Sequence, residues 1–377
     1  MLIYEKYLIK QIYLAFLFIL IALSGLFSFF DFVNEFGKIG DGQYNLLYAT
    51  LNVILLIPSH TYEVLPIAIL VGSIYVFAKA ASSSEWTILR LAGLSPQKAL
   101  VLILKLSIPL IITSVFIGEI LVPYADLTAT YYKIKAFGPK NLASSNAGAW
   151  LRNQNKNQTD SIQFININAL NARDEIEQIK IYNFNEQLDL KSIQFAVIGV
   201  FSRPNTWLLK NVTEIKLPEK SGHIEKNKLE NLQKISSRHY DEFELALNIN
   251  PKILAGLLAP LDRMSGYSLY AFINHLIENK QNAKQYEVVF WQKVFYPIAI
   301  LVMLTIALPF AYLHARSKSI SIKIFGGIVL GVLFQILNSL FSHIGLMISW
   351  PALISAAMPG LIFVTFAIAC LAWVNRH

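Results

Sequence analysis

Apolar segments with few or no charged residues stand at both ends of the chain, three before a polar middle region and three after it. A bilayer core of about 30 Å needs roughly 20 apolar residues in helical form. Because lipid offers no partner to free backbone groups, a segment that crosses it is expected to be helical. The sequence therefore predicts six transmembrane helices. The predicted spans are residues 11–30, 61–81, 99–118, 294–313 and two spans between 324 and 374.

Charged residues in the short loops predict how these spans are oriented. Lys and Arg outnumber acidic residues in loops 79–98 and 314–323, whereas loop 31–41 is acidic and loop 342–351 carries only His343. Because basic loops tend to stay in the cytoplasm, both termini are predicted there and the middle region on the opposite side. The first segment has no small-x-small cleavage site at its end, so it is interpreted as a retained helix.

The middle region changes from continuous apolar runs to alternating apolar and polar residues, which is typical of half-buried strands. Short strands without helical periodicity between them favour an antiparallel sandwich, a jelly roll or an open barrel. The single cysteine, Cys370, lies in the last span, so this domain is expected to rely on a packed core. The predicted strands are residues 161–167, 178–184, 191–200, 206–217 and 242–249, and residues 152–159 are predicted to be a turn-rich connection.

These patterns divide the chain into three parts. Residues 1–123 hold the first three membrane helices, and residues 124–266 form an inserted all-β, jellyroll-like domain. Residues 267–377 hold a polar-faced connecting helix, at 267–285, and the last three membrane helices. The predicted fold is a membrane protein with a bundle of six transmembrane α-helices, arranged 3 + 3 around the β domain.

Recognisable catalytic chemistry is absent from the sequence. There is no Gly-rich phosphate loop, no His-Glu-x-x-His, no Gly-x-Ser-x-Gly and no Cys/His ligand cluster. His60 and His275 are interpreted as interfacial or surface groups. The net charge of +8 comes largely from the predicted cytoplasmic loops, so no face suits nucleic acid. We therefore do not expect an enzyme, a cofactor or a metal site.

The loop between the second and third spans has the pattern of a short helix, at about residues 82–92. Ser82 to Ser84 can cap its start, and Glu85 lies in the first turn, where the helix dipole favours an anion. Gly93 then ends the helix. Such a loop is more structured than a simple linker.

The side chains of this short helix suggest a docking role. Its apolar surface is too large to leave in water. Trp86, Ile88, Leu89 and Leu91 form this surface, and Glu85 and Arg90 supply charges for a partner. Two interpretations remain open from the residues alone. The helix either lies on the membrane surface or is a coupling helix that docks into a cytoplasmic partner.

Four sequence elements stand in a fixed order along nearly the whole chain. They are the Ser-Glu and Ala-Gly elements of loop 79–98, Gly118-Glu119-x-x-x-Pro123, Ile-Tyr-Asn-Phe-Asn-Glu at 181–186, and residues 291–297. Together with the 3 + 3 layout, they resemble the lipopolysaccharide export permeases of the LptF/LptG family. The Gly-Glu-x-x-x-Pro and Tyr-x-Phe-Asn-Glu elements favour the LptG branch, with the sister branch LptF as the alternative.

The resemblance implies a permease subunit of an ABC transporter in the bacterial inner membrane, with both termini cytoplasmic and the β domain periplasmic. Such a complex extracts lipopolysaccharide and passes it to a periplasmic jellyroll bridge, while a partner chain hydrolyses ATP. The implied partners are an LptF-like sister permease, two copies of an LptB-like ATPase, and LptC-like and LptA-like jellyroll proteins. The implied contacts with the ATPase are Glu85, Trp86, Leu89 and Arg90.

The resemblance also implies that spans one and five line the lipopolysaccharide cavity. The outer end of span one departs from the family, because Asp31 and Glu35 stand where family members carry lysines. Helix packing and solvation of surface charges explain the candidate residues about as well as ligand binding does. The candidates for lipopolysaccharide binding are Ser24, Ser28, Lys38, Lys133, Lys135, Gln335, Asn338 and Ser339.

Two other classes of function remain as alternatives. In the first, the chain is a membrane-anchored scaffold or sensor whose β domain binds a partner without transport. In the second, it is a membrane-embedded hydrolase, although the sequence has no nucleophile and base constellation. A scaffold predicts that Glu85→Ala leaves function intact, whereas a permease predicts loss of ATP-driven release.

Overall fold

The computed structural model describes most of the chain, and the following account concerns these residues only. Arg316 and Lys318 of the predicted cytoplasmic loop, Glu186 of the Tyr-x-Phe-Asn-Glu element and residues 155–159 of the predicted turn lie outside them. The described residues are 3–40, 43–137, 149–154, 162–170, 175–185, 187–203, 206–217, 236–247, 249, 251, 254, 261–278, 281–312, 320–348 and 350–376.

Six helices are long and apolar enough to cross a membrane, which confirms the predicted bundle. The described residues form nine α-helices, and the six spans are α1, α2, α4 continued into α5, α7, α8 and α9. The helices are α1 Ile3–Phe36, α2 Leu46–Ser82, α3 Glu85–Leu91, α4 Pro96–Phe116, α5 Val122–Phe137, α6 Gly266–Glu278, α7 Lys284–Ala307, α8 Ile320–Met347 and α9 Ala352–Arg376. A π-helical turn, Ile117–Leu121, joins α4 to α5, and short 3-10 turns occur at Leu261–Arg263 and Leu308–Ala311.

Helix α2 is the centre of the bundle. Its most apolar window is 83% buried, against 17% for α1 and 22% for α8, and α1, α5, α7 and α8 all pack on it. The backbones of α1 and α2 touch, because a Cβ at Gly72 would lie 2.8 Å from the Phe16 nitrogen. Small residues allow such close packing between membrane helices. Helices α1 and α8 therefore stand beside α2 with most of their surface uncovered.

Helices α4 and α5 form one rod together with the π-helical turn between them. Along the chain, α3 directly precedes the rod and the β-sheet follows it. The helix continues to Phe137 and the first strand begins at Ala149. Residue 124, the predicted start of the β domain, therefore lies inside the rod.

Six strands form one antiparallel sheet in which neighbours in sequence are neighbours in space. This arrangement confirms the all-β prediction for the middle region. The prediction of a turn at 152–154 is wrong, because these residues pair with β2 and belong to β1. The strands are β1 Ala149–Gln154, β2 Ile162–Leu170, β3 Glu175–Phe184, β4 Leu190–Arg203, β5 Thr206–Lys216 and β6 Ser236–Ala246.

The core of the β domain is shared between the sheet and α6. Ile181 and Trp207 of the sheet are buried in the same cluster as Phe272 and Leu276 of α6. The Trp207 indole donates a hydrogen bond to the carbonyl of Ile249 at 3.0 Å, which satisfies its one polar group. The predicted connecting helix thus ends at Glu278 and packs on the sheet before α7 begins.

Candidate functional site

A lateral groove of about 730 Å³ runs between α1 and α8, with α2 as its floor. Its walls are almost entirely apolar. Gln11 and Lys79 stand at the end nearest α3. Phe18 on the α1 wall is 75% exposed, so the groove opens to the side of the bundle. Apolar lining residues include Phe18, Ala22, Val71, Tyr75, Ile324 and Ile328.

Such a groove suits acyl chains or apolar helix surface. Each buried methylene contributes roughly 0.8 kcal/mol, so several acyl chains hold a lipid firmly in an apolar environment. A protein that removes such a lipid from a bilayer must offer comparable apolar surface. The walls of α1 and α8 provide it.

Ser24 and Ser28 lie on α1 just beyond the groove. Ser24 is buried, and its hydroxyl lies 3.4 Å from that of Thr61 on α2. The Ser28 hydroxyl donates to the Ser24 carbonyl at 2.8 Å. Both hydroxyls thus have partners inside the chain, and Ser24 mainly joins α1 to α2.

Lys38 and Lys133 meet at one carboxylate. Glu35 is only 4% exposed, and its Oε1 accepts hydrogen bonds from both ammonium groups at 2.9 Å. The Tyr44 phenol donates to its Oε2 at 2.6 Å. Burial raises the pKa of Tyr44, and the hydrogen bond to Glu35 raises this pKa further. The two predicted cations are therefore close together, but they share a carboxylate that partly neutralises them.

The remaining candidates do not converge on the groove. Gln335 and Ser339 are exposed on α8, one helical turn apart and beyond the groove in the direction away from α3. Asn338 instead lines a smaller cavity of about 140 Å³ between α7, α8 and α9. Lys135 lies in α5, and its side chain is outside the described part of the structure.

Trp86 anchors α3 to the bundle. The side chain is 2% exposed and packs edge-on against Phe77 and Tyr312, at centroid distances of 5.6 and 5.5 Å. The prediction that Trp86 offers surface to a partner is therefore wrong, because the chain's own core covers it. Leu89 is half-buried against the same core, and the Arg90 guanidinium lies 5.3 Å from the Tyr312 ring centroid.

The outer face of α3 carries exposed apolar residues. Ile88 is 63% and Leu91 85% exposed, and Glu85 is half-buried at the start of the same helix. Residues three apart on a helix lie on one face, so these three side chains form a single surface. That surface is the part of α3 available to a partner.

The serines before α3 do not cap it as predicted. Ser84 has a left-handed backbone with φ of 61° and makes no capping hydrogen bond from its side chain. An N-cap normally has an extended backbone that lets the side chain reach back to the helix. The Ser82 and Ser83 hydroxyls instead donate to the Lys79 carbonyl at 2.8 and 3.0 Å and complete the end of α2.

His60 and His275, interpreted from the sequence as interfacial or surface groups, are both buried inside the chain. His60 bonds through Nε2 to Asp31 of α1 and stacks on Phe27, so it joins α1 to α2. His275 stacks on Phe272 inside the β domain. Among the described residues, no group of three or more His, Cys, Asp or Glu is placed to hold a metal ion.

Two carboxylates of the rod were not recognised as functional candidates from the sequence. Asp126 pairs with Arg263 and Ser59, and Glu119 caps the start of α6. Asp126 lies outside every motif. Glu119 belongs to the Gly-Glu-x-x-x-Pro element, which was the one available signal.

Comparison with known proteins gives one consistent result. The model of the family described as Lipopolysaccharide export system permease LptF/LptG matches residues 6–373. The chain is similar to lipopolysaccharide export system permease protein LptG of Escherichia coli K12, with 26% identity over 363 residues and 95% of each chain covered. It is also similar to LptG of Haemophilus influenzae, with 27% identity over 361 residues, covering 96% of this chain and 95% of the relative.

Proposed function

The chain belongs to the lipopolysaccharide export system permease LptF/LptG family, and from this we propose that it is an LptG-type permease subunit of an ATP-driven exporter in the bacterial inner membrane. A match that covers residues 6–373 carries the proposal, because it includes the groove, α3 and the β domain. The LptG branch is favoured by the relatives, which are themselves named LptG. The chain itself is a transport subunit and not the ATPase.

The proposed reaction moves lipopolysaccharide from the membrane towards the β domain. Acyl chains enter sideways between α1 and α8, which in a complete complex face an LptF-like sister permease. The lipid then passes to the periplasmic β domain and on to LptC-like and LptA-like proteins. Both chain termini and α3 lie on the cytoplasmic side in this arrangement.

Headgroup contacts are proposed at the outer ends of the groove helices. Ser28 on α1 and Gln335 and Ser339 on α8 are proposed to form hydrogen bonds to sugars or phosphates. Lys38 and Lys133 are proposed to bind a phosphate in competition with Glu35, whose carboxylate holds the same ammonium groups. Ser24 and Asn338 are proposed to have supporting roles in helix packing, and Lys135 stays a candidate partner for a phosphate.

Coupling to ATP hydrolysis is proposed to occur through the outer face of α3. Glu85, Ile88 and Leu91 dock into a groove of an LptB-like ATPase, of which the complex holds two copies. Leu89 and Arg90 support this face, and Trp86 fixes α3 to the bundle through Phe77 and Tyr312. Movement of the ATPase is therefore transmitted directly to the membrane helices.

Reconstitution tests the proposal most simply. The chain is co-purified with its sister permease and the ATPase, placed in liposomes with lipopolysaccharide, and assayed for ATP-dependent release to a soluble jellyroll acceptor. Glu85→Ala is expected to lower release at least about tenfold, since removing one partner of a buried charge pair costs about 2 kcal/mol or more. Thr87→Ala, an exposed change on the same helix, serves as the matched control and should keep full release.

Two results would contradict the proposal. A chain that brings down no ATPase, or whose function survives Glu85→Ala unchanged, behaves as a scaffold or sensor. Release that does not depend on ATP would exclude the proposed source of energy.

A further inference from the structure

Both connections between the membrane helices and the β domain meet the same rod. The outgoing chain leaves from the end of α5 towards β1, and the returning chain passes through the turn Leu261–Arg263 into α6. The rod starts at Pro96, close to α3, and extends for about 60 Å at 1.5 Å per residue. Any contact that holds the returning chain to the rod therefore also fixes the β domain relative to α3.

Asp126 of α5 holds the returning chain by charge. The residue is 3% exposed, and its carboxylate accepts hydrogen bonds from the Ser59 hydroxyl at 3.0 and 3.1 Å. The Arg263 guanidinium lies 3.5 Å from the same carboxylate. A buried charge needs such partners, because it is strongly destabilising without them. The turn before α6 is thus tied to α5 and to α2.

Glu119 holds the start of α6 itself. Its Oε2 accepts a hydrogen bond from the Gly266 backbone N–H at 2.7 Å. Gly266 is the first residue of α6, where a carboxylate satisfies a free N–H and faces the positive end of the helix dipole. A Cβ at Gly266 would lie 3.1 Å from Glu119 Oε1, so glycine permits this close approach.

The π-helical turn around Glu119 explains the spacing of the Gly-Glu-x-x-x-Pro element. The Val122 N–H bonds to the Ile117 carbonyl five residues back. In that register the carbonyl of Gly118 would be served by residue 123, which is proline and has no N–H to donate. The Lys293 ammonium of α7 instead lies 3.5 Å from this carbonyl. The element is therefore a built junction between the rod, α6 and α7.

From these contacts we infer that Glu119 and Asp126 are positioning residues for the export reaction: a latch that carries movement of α3 through the rod to the β domain. The contacts stand by themselves, whereas the movement they transmit rests on the proposed function. With the latch closed, the β domain follows the rod as a rigid body. With the latch open, the rod can move while the β domain stays behind.

Distance measurement by spin labelling tests the latch independently of transport. The native cysteine is removed by Cys370→Ser, and labels are placed on the exposed positions Leu104 of α4 and Lys210 of β5. The full complex should give a narrow distance distribution. Glu119→Ala combined with Arg263→Ala should broaden it, and the control Thr128→Ala, whose hydroxyl bonds only within α5, should not.

Transport measurements then separate positioning from simple stability. In the double variant, lipopolysaccharide release is expected to fall about tenfold while ATP hydrolysis by the complex stays unchanged. A fall of this size lies within the range by which mutations along a coupling network change the coupling between two sites. Glu119→Gln combined with Arg263→Ala keeps an oxygen that can accept the Gly266 N–H, so release should exceed that of the double alanine variant. Arg263→Ala alone, at a partly exposed position, provides a milder variant if Glu119→Ala prevents assembly.

Three outcomes overturn the inference. The first is a distance distribution in the double variant as narrow as in the unaltered complex. The second is a parallel fall in release and ATP hydrolysis, which indicates general destabilisation. The third is Glu119→Gln behaving like Glu119→Ala when each is combined with Arg263→Ala. If the unaltered complex releases no lipopolysaccharide at all, the proposed function fails, and the distance measurement still decides whether the latch exists.

Discussion

Glu35 is the residue that most changes the chemistry of the outer end of α1. It holds two lysines and a tyrosine in one cluster, with all three contacts at 2.9 Å or less. A phosphate that binds Lys38 and Lys133 must displace a carboxylate that is already there. The cluster is therefore a weaker phosphate site than two free lysines would be.

Neutralising Glu35 should strengthen this site. Glu35→Gln removes the competing charge, and phosphorylated lipid is expected to bind about fivefold tighter, since a partly exposed ion pair is worth up to about 1 kcal/mol. Binding is measured with the purified complex and a fluorescent lipopolysaccharide.

Lys133→Ala in the Glu35→Gln background supplies the control for this prediction and should abolish the gain. Unchanged affinity in Glu35→Gln, or a gain that survives loss of Lys133, would show that phosphate binds elsewhere.

The ring of Tyr62 leaves no room for a side chain at Gly118. A Cβ at this position would lie 2.4 Å from the Tyr62 Cε2, while Tyr62 itself is held by stacking on Tyr296 at 4.2 Å. Gly118→Ala is therefore expected to destabilise the protein by about 1–3 kcal/mol through overpacking. Thermal unfolding in detergent measures the change.

Gly25→Ala on α1 is the matched control for Gly118, because a Cβ there meets no atom within 4 Å. It should unfold at the temperature of the unaltered protein or slightly above it. Equal loss in the two variants would show that the Tyr62 contact does not explain the effect, since helix propensity favours alanine at both positions.

At the scale of elements, hydropathy predicted the membrane helices well because lipid imposes one strong requirement on them. The strands depend on weaker alternation, and β1 was missed since its polar residues Arg152, Asn153 and Gln154 resemble a turn. Only its pairing with β2, with Leu151 opposite Ile165, reveals it as a strand. The cap of α3 was also missed, because no local pattern indicates that Ser84 has a left-handed backbone.

Substitutions on the buried face and on the exposed face of helix α3 are expected to have different effects. Trp86→Ala removes the anchor and is expected to cost about 3–5 kcal/mol, as for other buried aromatic residues. Leu91→Asp changes a side chain that is 85% exposed, so stability should hardly change while the ATPase no longer binds. Thermal unfolding and co-purification with the ATPase measure the two effects.

The double variant Trp86→Ala and Leu91→Asp provides a further control for α3. It should be as unstable as Trp86→Ala and no worse in ATPase binding than Leu91→Asp. The two-face interpretation is contradicted if Leu91→Asp unfolds the protein or if Trp86→Ala leaves its stability unchanged.

At the scale of the whole molecule, the sequence predicted which parts exist but not how they are joined. The groove, the Glu35 cluster and the rod contacts all bring together residues far apart in the chain, such as Asp126 and Arg263 or Glu35 and Lys133. The spacing of apolar residues along the sequence gives no information about such long-range pairs. In the described residues, α3 precedes the rod, α6 of the β domain is held to the rod at Glu119, and an open apolar groove lies between α1 and α8.

Site-specific photocrosslinking in native membranes tests the central claim, that lipopolysaccharide crosses between α1 and α8 under the control of ATP. Photoreactive residues replace Ser28 and Gln335, and Ile354 of α9 serves as an exposed control away from the groove. The account predicts lipopolysaccharide adducts at Ser28 and Gln335 that change in yield with ATP, and background yield at Ile354. Equal adducts at all three positions, or adducts indifferent to ATP, would contradict it.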